Sequence, residues 1–198
     1  MARPRLSERQ PYDRERVVDA AVLVFTERGY EGTTMADIAS ALGIHKTSIY
    51  HHIASKEQLL EDALKRALDA LHGMLTEPGA VDGRAVDRLR YVVRRTVEIM
   101  VDRLPEVTVL LRVRGNTDVE RWALERRREF DAAVQRIVSD AIRQSDLRSD
   151  ADAALVTRLV FGMSNSVTEW YRAGGPLTAQ NIAVAIESVV FDGLRTRR

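Results

Sequence analysis

From His45 to Lys56 the chain reads HKTSIYHHIASK, a dense run of hydrogen-bond donors on a short stretch. Coiled as a helix, Ile49 and Ile53 turn inward at i, i+4, while Lys46, Thr47, Ser48, Tyr50, His51 and His52 occupy the outer faces. A helix so short and so polar buries little surface, so its outer face needs another explanation. Ammonium, hydroxyl, imidazole and phenol groups are what contacts to phosphates and to base edges in a DNA groove require. Adjacent His51 and His52 do not share a helical face, and no carboxylate stands near them at zinc-ligand spacing. No metal site and no cofactor are therefore implied. Arg3, Arg5 and Arg9 form a basic arm upstream that can reach phosphates or an adjacent minor groove.

The elements that must hold these donors are helices. Thr34 is an N-cap, and Asp37 three residues on gives a capping-box start to a short helix with Ile38, Ala39 and Leu42 on its apolar side. Gly43 follows where the chain must turn sharply, and a second helix from about His45 to Ile53 completes a helix-turn-helix. Ahead of it, Asp13 caps a helix that stops before Gly29. Behind it, Ser55 caps a longer helix with Leu59, Leu60, Ala63, Leu64, Ala67, Leu71 and Met74 at helical spacing. Pro78-Gly79 and Gly83 mark a loop, the compositional break that best suits a domain boundary. Beyond it come a stripe of Val86, Leu89, Val93, Val97 and Met100, a short apolar helix opened by Pro105, and a long helix from Val119 to about Ser145. A cap-like run, Ser149-Asp150-Ala151-Asp152, and Thr178 head the last two helices, which Ala173-Gly174-Gly175-Pro176 separates. The pattern predicts an all-α fold without strands.

The order of residues resembles the tetracycline-repressor (TetR) family of bacterial transcriptional regulators. The resemblance rests on Arg16, Ala20, Ala21, Phe25, Gly29 and Tyr30, then Thr33, Thr34, Ile38, Ala39, Leu42, Gly43, Ile44, Ser48, Tyr50 and His51. It ends in Ser55-Lys56-Glu57 with Leu59-Leu60, so it covers about the first third of the chain. His45, Thr47 and Ile53 depart from the usual pattern, and the first two face DNA in this reading, so an operator sequence cannot be borrowed from relatives. The resemblance implies a DNA-binding set of Thr33, Thr34, His45, Lys46, Thr47, Ser48, Tyr50, His51 and Lys56, with Lys56 matching a phosphate-contacting lysine. It also implies a division into a DNA-binding domain over 1–56 and a ligand-binding and dimerisation domain over 57–198. Partners would be a double-stranded DNA operator, a small-molecule effector and a second copy of the chain.

The rest of the sequence agrees with that picture. In 198 residues, 45% apolar, there is ample core and no run long enough to span a bilayer. The N-terminal arginines lack a following apolar segment, so no secretory signal and a cytoplasmic location are expected. Cysteine is absent, which excludes disulfides and thiolate catalysis. No Gly-x-Ser-x-Gly, glycine-rich phosphate loop or His-Glu-x-x-His motif appears, so an enzyme is not expected. A net charge of +1 speaks against an architectural DNA-coating protein and requires DNA-facing charge to be local.

In the last two helices, apolar residues fall on more than one side: Val156, Val160, Met163 and Val167 beside Leu155, Leu159 and Trp170, with small Gly162, Ser164 and Ser166 between. A four-helix bundle across a two-fold axis would bury the excess. Between Arg94 and Asn165, arginines and an amide recur on largely apolar helices, the mixture of a ligand pocket. The candidate ligand set is Arg95 and Arg112 for an anion, with Trp122, Met163 and Asn165 along an apolar body. The segment WYRAGGPLTAQ, Trp170 to Gln180, resembles a subset of the family that includes regulators of lipid, steroid and acyl-coenzyme A catabolism, which suggests a hydrophobic carboxylate (an organic acid) or acyl thioester.

Overall fold

The computed structural model describes residues 13–193, and Arg3, Arg5, Arg9 and Leu194 lie outside the described residues. Ten α-helices and no strand are found among the described residues. They are α1 (Arg14–Arg28), α2 (Met35–Leu42), α3 (Lys46–Ile49), α4 (Lys56–Met74), α5 (Pro78–Val81), α6 (Ala85–Asp102), α7 (Leu104–Arg112), α8 (Asp118–Arg143), α9 (Ala153–Trp170) and α10 (Ala179–Phe191). The chain forms two compact units that divide between Ala63 and Leu64, inside α4. That point lies about two turns into the helix, beyond the 56/57 division read from sequence. Leu59, Leu60 and Ala63 are fully buried in the first unit's part of α4.

In the first unit, α1 buries Val17, Val18, Ala21 and Phe25, α2 buries Ile38 and Ala39, and Ile49 and Ile53 enter the same core. Leu23 of α1 stays exposed. The caps are those the sequence announced. The Asp13 side chain accepts from the Arg16 amide, Thr34 and Asp37 form a reciprocal capping box, and Ser55 Oγ accepts from the Gln58 amide at 3.1 Å. Gly43 ends α2 at φ 67°, a left-handed conformation in which a Cβ would be strained. Arg14 grips Asp62 with Nε at 3.2 Å and Nη2 at 2.8 Å, tying α1 to α4.

The second unit is organised around α6, which packs against α5, α7, α8, α9 and α10. Its Leu89, Val92, Val93, Val97 and Met100 are buried, together with Leu110, Phe130, Val134 and Val138 of α7 and α8. A separate cluster of Val97, Val167, Ile182 and Ala183 joins α6 to α9 and α10. Arg90 and Arg94 reinforce that junction by donating to the two Glu187 carboxylate oxygens, each at 2.9 Å. The expected loop at Pro78-Gly79 is instead the one-turn helix α5, inside the second unit rather than at its edge. Gly79 is needed there because a Cβ at this position would run into the Tyr91 ring.

Candidate nucleic-acid interface and effector cavity

The second helix of the helix-turn-helix is shorter than its sequence suggests. Regular α3 covers Lys46–Ile49, after which His51 and His52 donate to carbonyls three residues back, Ser48 and Ile49, and tighten the chain. This tightening carries Ile53 into the core, 1% exposed. It leaves His45, Lys46, Thr47, Tyr50 and His51 exposed on the same short segment, with Ser48 half-buried. Tyr50 is 48% exposed although its body is apolar, and the Lys46 ammonium stands 6.0 Å from its ring. Among the described residues, no hydrogen bond or ion pair occupies the side chains of His45, Thr47, Tyr50 and His51. Their donors are available to a partner.

Thr33 and Lys56, assigned to the DNA-contacting set, are placed differently. Thr33 is 1% exposed and its hydroxyl donates to the Gly29 carbonyl at 2.7 Å, so its side chain serves the core. Lys56 is half-buried and turns inward. Its ammonium donates to the Tyr30 carbonyl at 2.8 Å and the Thr33 carbonyl at 2.9 Å, and lies 4.2 Å from the centre of the Tyr30 ring. Two of the three ammonium protons thus hold the turn between α1 and α2 in place. Thr34 remains exposed, but its hydroxyl is engaged in the capping box. Asp37 completes that box, and hydrogen bonds from Thr34, aided by Arg28, hold its carboxyl below the ordinary value.

The second unit contains a cavity of about 430 Å³ between α4, α6, α7, α8 and α9. Its buried wall is Leu68, Leu71, Met100, Val107, Leu110 and Phe130, with Thr96 and Thr157 the buried polar residues among the lining. Toward solvent the wall carries Arg127, Arg128 and Arg158, with Asp131 beside them. Desolvation by the surrounding protein pushes the Asp131 carboxyl up from its ordinary value, and the charges of Arg127 and Arg158 oppose that rise. The buried lining is apolar apart from Thr96 and Thr157, and the less buried lining carries the three guanidinium groups and Asp131, with Arg127 donating to the Leu110 carbonyl at 3.5 Å.

Of the ligand set read from sequence, Asn165 lines this cavity, whereas Arg95, Arg112, Trp122 and Met163 do not. Arg95 donates to Glu98 at 2.6 Å and to Glu77 at 3.3 Å, and these two carboxylates favour its charged form. Trp122 is half-buried on α8 with the Lys65 ammonium 6.0 Å from its ring, Arg112 is exposed at the end of α7, and Met163 is half-buried on α9. The residues missed are Thr96, Arg127, Arg128 and Asp131. A signal for two of them existed in the spacing of α8. Arg127, Asp131 and Gln135 recur at i, i+4, i+8 and flank the stripe of Phe130 and Val134.

Comparison with known proteins decides the family. Residues 17–63 match the sequence profile of bacterial regulatory proteins of the tetR family, and residues 82–194 match that of the tetracyclin repressor-like C-terminal domain. The chain belongs to the TetR family. It is therefore a DNA-binding, ligand-responsive transcriptional regulator and not an enzyme. Among TetR relatives, the HTH-type transcriptional repressor KstR2 of Rhodococcus jostii is 32% identical over 186 residues, covering 91% of this chain and 90% of that one. The crystal structure of SCO3833, a TetR member from Streptomyces coelicolor, is 50% identical with a TM-score of 0.87, covering 96% and 94% of the two chains. AibR, crystallised with isovaleryl coenzyme A and operator DNA, is 26% identical with a TM-score of 0.77, covering 90% and 97%. No described helix is long and apolar enough to cross a membrane, and no described group of three or more His, Asp or Glu residues could hold a metal ion.

Proposed function

We propose that this TetR regulator acts in the cytoplasm as a homodimeric repressor, released from a palindromic operator by an amphiphilic anion such as an organic acid or an acyl-coenzyme A thioester. The observation that carries the effector class is the cavity, an apolar chamber of about 430 Å³ with Arg127, Arg128 and Arg158 at its solvent side. Guanidinium groups are natural receptors for carboxylate and phosphate, while Leu68, Met100, Val107 and Leu110 suit a hydrocarbon body. The bound state of AibR, a relative crystallised with isovaleryl coenzyme A and operator DNA, supports the same class.

Dimerisation is supported by an exposed apolar stripe on α9, where Leu155 and Leu159 are 55% and 59% exposed and Gly162, Ser166 and Trp170 continue the row. Val184 and Val189 of α10 are exposed as well. Of the residues the sequence set on this helix, Val160 is 3% exposed and Ser164 is buried with its hydroxyl donating to the Val160 carbonyl, so neither belongs to the exposed row. Two copies would set two α3 segments on half-sites about 34–36 Å apart, one turn of the duplex or a multiple of it. Helix α4, which runs through both units, is the element by which effector binding would alter that spacing. Coupling is reciprocal, so operator must weaken effector by the factor with which effector weakens operator.

The test titrates a series of coenzyme A thioesters and free carboxylic acids against the complex of the protein with a selected operator. Anionic amphiphiles should release DNA, and Arg158→Met or Arg127→Met should raise the concentration needed by about tenfold or more. Release by neutral or cationic compounds alone would remove the anion from the proposal.

A further inference from the structure

We infer that the buried end of the effector carries a carbonyl or hydroxyl oxygen and that the Thr96 hydroxyl reads it. This rests on the reading above, in which the cavity takes an amphiphile with its anionic head at the arginines. In an α-helix a threonine hydroxyl commonly turns back to the carbonyl four residues earlier. Thr26, Thr108 and Thr157 do so, at 2.8, 2.7 and 2.8 Å. Thr96, in the middle of α6, does not. It is 3% exposed, lines the cavity, and its hydroxyl meets no hydrogen-bond partner among the described residues.

Among the described residues, no group of the lining hydrogen-bonds this hydroxyl. Leu68, Met100, Val107 and Leu110 are apolar and buried, and the Thr157 hydroxyl is already committed to the Ala153 carbonyl. Arg127, Arg128 and Arg158 stand on the less buried part of the lining. A ligand with a plain hydrocarbon tip would seal the Thr96 hydroxyl away unpaired, whereas an oxygen at the tip would pair with it as acceptor or donor. Sites that hydrogen-bond a ligand oxygen reject the analogue lacking it far better than apolar pockets reject an added group. The effector is thereby narrowed to an acyl chain oxygenated at its far end, with the carboxylate or thioester at the other.

The test uses the full-length protein and matched probes, medium-chain acyl-coenzyme A thioesters and free acids, each with and without a ketone next to the chain terminus. Binding is read by calorimetry for the wild type, Thr96→Val and Thr96→Ser, with melting temperature as a check on folding. Thr96→Val should melt no lower than the wild type, because it removes a buried unpaired hydroxyl. The wild type and Thr96→Ser should prefer the ketone by about five- to tenfold, and Thr96→Val should bind both members of a pair alike. Equal binding of a pair by the wild type, or a preference that survives in Thr96→Val, overturns the assignment of Thr96. If no anionic probe of either kind binds, the reading of the cavity falls and this inference falls with it.

Discussion

Lys56 and Tyr50 stand six residues apart in the sequence and carry opposite duties. The Lys56 ammonium is held by the Tyr30 and Thr33 carbonyls, while the Tyr50 phenol stands exposed with no hydrogen-bond partner among the described residues. Lys56→Met keeps the stem of the side chain and removes the donors, so two carbonyls lose their partner. The expected cost is about 1–3 kcal/mol of stability, read as a lowered denaturation midpoint, with any loss of DNA affinity following from it. Tyr50→Ala should leave that midpoint unchanged and weaken operator binding, and Thr47→Ala should change which bases are preferred. If Lys56→Met melts like the wild type but its operator affinity loses one counterion's worth of salt dependence, Lys56 is a phosphate contact after all. A sequence reading could rank these side chains by type but not by direction. Lysine, tyrosine and threonine all suit DNA, and only the packing of the α1–α2 turn against α4 shows that Thr33 and Lys56 face it.

At the scale of elements, the helices begin where short polar side chains can accept from free amides, and this is why so much of the fold was legible in the chain. Asp13, Thr34, Ser55, Asp152 and Thr178 each accept an amide three residues ahead. Thr34→Ala should cost about 1 kcal/mol, measured by denaturant melting. The Asp37 carboxyl, held below its ordinary value, adds stability that is complete above that value, 3.8, and is lost as pH falls through its lowered one. Denaturant stability followed by circular dichroism should therefore fall as pH drops below 3.8, and Asp37→Asn should be less stable near neutral pH and lack that part of the fall. What the chain did not disclose is which face of a helix meets a cavity. Arg95 and Thr96 are neighbours on α6, about 100° apart around the helix, and the first pairs with Glu77 and Glu98 while the second enters the chamber. Both sit beside apolar residues, so the choice between them depends on how α6 crosses α8 and α9, a property of packing and not of periodicity.

For the whole molecule, the apolar row on α9 and α10 has to be covered for the regulator to act on a two-fold operator. Leu159→Glu places a charge at its centre, where burial without a partner costs several kcal/mol, of order 3–5. The variant should sediment as a monomer at micromolar concentration and lose operator affinity while keeping its helical content. The measurement that tests the central claim most directly is a fluorescence anisotropy titration of wild-type protein against the DNA upstream of its own gene, alongside a random duplex of equal length. Saturation is expected at an even number of protomers per operator, with affinity at least a thousandfold (about 10³) above the random duplex, and with release on addition of an anionic amphiphile. Equal binding to both duplexes, or saturation at one protomer per site with no response to any small molecule, would contradict it.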